Sequence, residues 1–236
     1  GLLIDHPTAN WRYSSQPEKG TSNRRIPVPR GRLLGGSSSI NGLVFVRGQP
    51  LDYDTWGQLG NRGWSFDDVL PFFQKMEHYE HGEDDLRSQG GPLRVSEATD
   101  EGPLYEAIKA AGKELGIPQN RDYNGKSQEG IVRTQTTISN GVRMSTARCY
   151  LNPVKNRPNL RIETDAHVQK LLFEGKKCSG VHFRKNGRDR FVHAHKEVIV
   201  CTGGVASPQL LELSGIGQAQ LLRDNGIEVK HELNGV

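Results

Sequence analysis

Cysteine is scarce. Cys149, Cys178 and Cys201 are the 3 cysteines in 236 residues, widely spaced and without a C-x-x-C pair. That excludes a disulfide framework or a four-cysteine zinc site as the organising feature. The 8 histidines show neither H-x-x-x-H nor H-E-x-x-H spacing, so no metal centre is expected. No apolar run reaches the roughly 18 residues of a membrane span, and no signal-peptide pattern opens the chain. A soluble, reducing, cytoplasmic setting is the expectation. Hydrophobic residues make up only 34%, while 28 glycines and 12 prolines announce many turns. The charge of +4 comes from 31 basic against 27 acidic residues. Arg24, Arg25, Arg30 and Arg32 form the one notable cluster. With no aromatic-rich reader beside it, no nucleic acid partner is expected; a pyrophosphate or plain solvation suits it better. The length allows one large or two small domains. The chain starts at Gly1 inside an apolar run and stops at Val236 without a terminating feature. It reads as a piece of a larger α/β protein.

What is there is a run of glycine and serine. Residues 31–42 read Gly-Arg-Leu-Leu-Gly-Gly-Ser-Ser-Ser-Ile-Asn-Gly. Gly-Gly marks tight turning or a close backbone approach, and serine hydroxyls with free amides suit a phosphate or polyol chain. A flexible linker is the alternative, but Leu33-Leu34 and Leu43-Val44-Phe45-Val46 on either side point to a buried loop. Asn41, among apolar neighbours, is expected to be buried and partnered.

Residues 1–64 otherwise look loop-rich, because Pro7, Pro17, Pro27 and Pro29 break any helix. Ser65-Phe66-Asp67-Asp68 has capping-box form, and Val69, Leu70, Phe72, Phe73 and Met76 predict an apolar helical stripe. A second helix is predicted from Pro103 through Leu104, Ile108, Ala111 and Leu115, stopped by Gly116. Residues 82–91, charged or small, suggest a mobile surface loop. From residue 131 the period becomes that of strands: 131–139 closed by the hairpin turn Asn140-Gly141, then 160–164, 168–173, 178–184, 190–195 and 198–201. Glu174-Gly175 and Asn186-Gly187 separate three of these, so a β-meander is predicted. The uniformly apolar last run fits a central parallel strand. It ends at Thr202-Gly203-Gly204, and a helix is predicted to open at Pro208 under a Ser207 cap. A strand–Gly–Gly–helix passage is a weak nucleotide signal without G-x-G-x-x-G, and ordinary strand-to-helix packing explains it as well.

Residues Gly31, Arg32, Leu34, Gly35, Gly36, Ser37, Ser38, Ile40 and Asn41, then Phe45, Gly48 and Asp54, resemble the first signature of the glucose–methanol–choline (GMC) family of flavin oxidoreductases. Residues 207–217, Ser-Pro-Gln-Leu-Leu-Glu-Leu-Ser-Gly-Ile-Gly, resemble the second. Gly204 departs from the family's Ala, Ser, Thr or Pro and is sterically harmless. Asp52-Tyr53-Asp54-x-Trp56 and Gly60-Asn61-x-Gly63-Trp64 are similar to the choline-dehydrogenase-like branch.

The resemblance implies an α/β (α+β) fold: part of an FAD-binding dinucleotide fold with a β-meander, plus part of a substrate-binding lobe. Residues 1–64 and 155–236 would belong to the FAD lobe and 65–154 to the substrate lobe. It implies FAD contacts at Gly35, Gly36 and Ser37 toward the pyrophosphate, and at Asn41, Gly42 and Val44 along the flavin ring and ribityl chain. Val168 would hold the adenine through its backbone (or be a plain strand residue), and Thr202 and Gly203 would form the second FAD-contacting turn. Ile40 stands where some members carry the histidine that bonds FAD covalently, so a noncovalent flavin is implied. The family's general base is a histidine near the C-terminal end of the full polypeptide, and its N-terminal βαβ unit carries G-x-G-x-x-G. Neither lies in these residues. No catalytic residue is therefore assigned to this chain, and FAD is expected to bind it weakly or not at all. His167 reads as a strand-surface residue. The implied parent is an FAD-dependent dehydrogenase or oxidase converting a small-molecule primary alcohol, choline-like or other, to an aldehyde. A hydroxynitrile lyase with structural FAD, or an inactive fragment acting as a binding module, are the alternatives.

Overall fold

The computed structural model describes residues 3–99 and 101–236. It is mixed α/β and divides into two compact units, Gly1–Leu160 and Arg161–Val236.

The first unit opens with a short antiparallel pair, β1 (Tyr13–Ser14) and β2 (Pro27–Val28). The glycine–serine segment follows, with one 3-10 turn at Gly36–Ser39. Helix α1 (Pro50–Gln58) is an addition to the loop-rich, proline-broken reading of residues 1–64. Its own proline sits harmlessly at the first helical position, and Gln49 and Asp52 close a capping box. Helix α2 (Phe66–Met76) forms where the pattern predicts, with Ser65 and Asp68 exchanging cap hydrogen bonds. Tyr53 of α1 meets Phe66 and Phe73 of α2 ring to ring. Phe72 falls off the half-buried stripe and is exposed.

Beyond α2, β3 (Glu77–Tyr79) lies parallel to β4 (Leu93–Glu97), which pairs antiparallel with β5 (Gln135–Thr136). Tyr79, Leu93, Val95, Phe45 and Cys149 make the apolar core, with Met76 and Met144 packed on it. The intervening loop is not a loose surface segment: Arg87, within it, is 2% exposed. Helix α3 (Pro103–Glu114) forms as predicted and ends before Gly116, φ +73°. Its apolar stripe, however, points outward: Leu104, Ile108 and Leu115 are all exposed. The helix contacts its surroundings through buried Gly112, where a methyl would overlap the Ile131 side chain. The predicted strand over 131–139 survives only as β5 and β6 (Ile138–Ser139). Asn140 and Gly141, both at positive φ, turn β6 into β7 (Val142–Arg143).

The second unit is built on the predicted meander: β8 (His167–Glu174), β9 (Lys177–Lys185) and β10 (Arg188–His193), antiparallel in chain order. Residues 160–164 and 197–201 are not strands. An apolar run becomes a central parallel strand only between two partners, and no described strand flanks 197–201; Ile199 is 75% exposed. Helix α4 (Gly203–Leu213) starts five residues before the predicted Pro208, which lies inside it. A parallel contact between β11 (Ile216–Gly217) and β12 (His231–Glu232), with α5 (Ala219–Asp224) between them, completes the unit.

Candidate functional site

The glycine–serine loop is a folded turn, not a linker. A methyl at Gly31 would lie 2.2 Å from the Gly36 carbonyl oxygen, and the Gly31 amide donates to Ser37 Oγ at 3.1 Å. Gly35 sits at φ +88°, where a methyl would meet Ser39 Oγ at 2.5 Å. Both positions therefore require glycine. Ser39 is buried, and its hydroxyl donates to the Leu34 carbonyl at 2.9 Å.

A distant segment clamps this turn. Ser38 Oγ accepts the Thr146 amide at 2.9 Å and donates to the Gly35 carbonyl at 2.5 Å. Arg143 Nη1 donates to the Asn41 carbonyl and to Asn41 Oδ1, each at 2.8 Å, and to the Ser38 carbonyl at 3.3 Å. Ala147, which opens a π-helical turn (Ala147–Leu151), packs beside Gly35.

Downstream of the turn, residues 43–47 alternate. Phe45 and Arg47 are buried, whereas Val44 is 56% and Val46 61% exposed. The Phe45 amide donates to the Gln135 carbonyl and the Thr137 amide to the Leu43 carbonyl, each at 2.9 Å. Leu43 has φ +70°, a strained value for a branched side chain.

Beneath this extended segment lies a buried polar network. Glu77 is fully buried; its carboxylate receives Arg87 Nε at 3.0 Å, Arg87 Nη2 at 3.1 Å and the Ser88 amide at 2.9 Å. Arg87 Nη1 reaches both oxygens of Asp122 at 2.8 Å and Gln135 Oε1 at 3.1 Å. Asn124 Oδ1 accepts the Arg47 amide at 2.7 Å, and its Nδ2 donates to Gln135 Oε1 at 2.7 Å. Arg47 Nη2 is 2.7 Å from Glu77 Oε1, but neither it nor Nε makes an aligned hydrogen bond. The two cations and two carboxylates balance. Burial works against the charge on both guanidiniums. On Arg87 the hydrogen-bonded Glu77, with Asp122, prevails and raises its pKa; on Arg47 burial prevails over Glu77 and lowers it. The network fixes the inner face of this segment, so that Val44 and Val46 stay on the outer one.

Of the residues singled out from sequence, Gly35, Gly36, Ser37, Asn41, Gly42 and Val44 come together on this loop. Asn41 is exposed rather than buried, and the loop's outer surface is open. Its Oδ1 is taken by Arg143 and by the Leu43 amide at 3.2 Å. The amides of Gly42 and Val44 and the Nδ2 group of Asn41 have no partner among the described residues. Open donors beside exposed valine side chains suit a flat ligand that is apolar on its faces and acceptor-rich at one edge.

The remaining candidates lie in the second unit. Val168 is on β8, one of the two edge strands of the meander, beside a register shift that leaves Gln169 unpaired. Thr202 precedes α4; its hydroxyl lies 3.0 Å from Ser207 Oγ and does not cap the helix, and Gly203 follows at φ +90°. The end of the second signature serves packing. Buried Ser214 accepts the Leu171 amide at 2.8 Å and donates to the Leu210 carbonyl at 2.6 Å. No group of three or more His, Cys, Asp or Glu among the described residues could hold a metal. Likewise no described helix is long and apolar enough to cross a membrane.

Sequence reading missed Arg143, Thr146 and Ala147. The Asn140-Gly141 hairpin signal located the segment but said nothing of what it touches, over 100 residues away.

The GMC oxidoreductase family matches residues 14–229, and the chain belongs to that family. It is 46% identical over 227 residues to an oxygen-dependent choline dehydrogenase of Sinorhizobium fredii, covering 96% of this chain and 41% of that protein. A relative of the same description from Photobacterium profundum is 43% identical, with 96% and 40% covered. The chain thus spans about two fifths of these relatives' length. Among solved structures, pyridoxine 4-oxidase from Mesorbium loti superposes with a TM-score of 0.93 at 32% identity, over 100% of this chain and 46% of that one. An FAD-dependent oxidoreductase from Chaetomium thermophilum gives 0.90 at 33% identity, over 97% and 42%.

Proposed function

We propose that this chain is the central part of an FAD-dependent oxidoreductase that converts a primary alcohol, choline-like in its first candidate substrate, to an aldehyde. The observation that carries this reading is the set of unpartnered donors at Asn41, Gly42 and Val44 beside the exposed Val44 and Val46 side chains. Bound FAD supplies a hydride acceptor whose N1–C2=O edge gains negative charge on reduction. The Asn41 amide and the two backbone N–H groups would face that edge and stabilise the charge. Gly35, Gly36 and Ser37 would approach the pyrophosphate, Val168 the adenine, and Thr202 with Gly203 the second FAD contact. Ile40, buried and without a nucleophile, leaves the flavin noncovalent. Residues 1–64 and 155–236 belong in the FAD lobe, 65–154 in the substrate lobe.

The family's histidine base and its N-terminal nucleotide-binding unit are not among these residues, so the 236-residue chain alone is inactive and holds FAD weakly or not at all. Submicromolar binding in a calorimetric titration would contradict this. Three free cysteines fit a reducing, cytoplasmic location. The test of the function uses the full-length protein. It is expected to purify yellow and to bleach when mixed anaerobically with choline or another primary alcohol. A yellow protein that no alcohol bleaches would favour structural FAD of the hydroxynitrile-lyase kind, and a colourless one would exclude both readings.

A further inference from the structure

Asn41 can present either edge of its amide, and the structure shows what decides. Two donors converge on Oδ1: the Arg143 guanidinium at 2.8 Å and the Leu43 amide at 3.2 Å. Turning the amide over would set its NH2 group against a cation and an N–H, so only one orientation is hydrogen-bonded. Nδ2 is then left as the outward donor, and the charge-assisted bond to Oδ1 polarises the amide and strengthens that donor. Arg143 itself is held in place. It lies on β7, paired with Ile138 of β6 across a two-residue hairpin, and the Asn41 carbonyl takes the same Nη1 at 2.8 Å. The strained Leu43, φ +70°, bonds its amide to the same Oδ1, a geometry that needs the amide fixed.

We propose that Arg143 is a positioning residue that orients and polarises the Asn41 amide, and through it sets the site's preference for reduced over oxidised flavin. This rests on the flavin reading of the loop. Arg143 need not touch the cofactor. Nor is it needed to hold the turn together, because the Thr146–Ser38 and Ser38–Gly35 bonds remain when it is replaced.

The experiment is the midpoint potential of the bound flavin in the full-length protein, measured for wild type, Arg143→Gln, Arg143→Lys, Asn41→Ala and the Arg143→Gln/Asn41→Ala pair. Arg143→Gln should lose about tenfold in preference for reduced flavin, about 30 mV for a two-electron couple. The double variant should sit no lower than Asn41→Ala alone, because the arginine acts through that amide. Arg143→Lys keeps the charge without the planar fork and should fall between wild type and Asn41→Ala; it carries the test if Arg143→Gln does not fold. A wild-type potential in Arg143→Gln, a double variant lower by the full sum, or a lysine variant outside that interval each overturns the proposal. A wild-type protein without flavin overturns the functional reading, and this inference with it.

Discussion

Thr146 donates its backbone amide to Ser38 Oγ at 2.9 Å, across 108 residues of sequence. The glycine–serine turn is thus held both by its own hydrogen bonds and by a segment distant in sequence. Its inner hydroxyls are spent on the carbonyls of Leu34 and Gly35 and on the 143–147 segment. What remains free is the outer edge at Asn41, Gly42 and Val44.

Replacing Asn41 by Ala in the full-length protein should slow flavin reduction by about a hundredfold or more, the usual cost of removing one donor that faces developing charge. Substrate affinity should change little, because the ground state makes less use of the donor. Ser39, in the same turn, is not a neutral control. It is buried, and its hydroxyl closes the turn on Leu34. Lys75→Ala, on the exposed side of α2, is the better comparison. Stopped-flow absorbance of the two variants makes the measurement, and equal rates would remove Asn41 from the working face.

Glu77→Gln should destabilise the protein by about 3–5 kcal/mol, since it leaves Arg47 and Arg87 buried with a single carboxylate between them. Asp122→Asn should cost less, because the Asp122 side chain is 21% exposed and water can partly replace it. Urea unfolding with an unchanged slope reads the difference. Equal losses would mean that the network acts as one unit around Arg87.

The fold was legible where the signal is local. The Ser65 cap, the Pro103 start, the Asn140-Gly141 turn and the three meander strands each depend on neighbouring residues, and each is present. The failures share a cause. Residues 197–201 carry a buried-strand composition but find no partner strand, and the α3 stripe finds no cover among the described residues. Composition records what a segment packs against, and among the described residues no surface covers these two. The site divides in the same way. Asn41, Gly42 and Val44 could be named from the motif. Their support, Arg143, Thr146 and the Arg47–Glu77–Arg87–Asp122 network, joins positions tens to more than a hundred residues apart and leaves no local pattern.

Ser214→Ala should destabilise by about 1–3 kcal/mol, because the Leu171 amide loses its acceptor in a buried position. The motif around Ser214 would otherwise be taken as cofactor chemistry. Flavin content per protein at saturating FAD should therefore stay unchanged while the unfolding midpoint falls. Loss of flavin with an unmoved midpoint would reverse that assignment.

Hydrogen exchange on the full-length protein, with and without FAD, bears most directly on the central claim. The amides of Gly42 and Val44 have no acceptor among the described residues, so in the apoprotein they should exchange rapidly. Binding FAD should slow both, together with the Asn41 side-chain amide, and leave the already bonded amides of Phe45 and Thr137 as they were. Unchanged exchange at Gly42 and Val44 in a flavin-loaded protein would contradict the assignment of this edge as the flavin face.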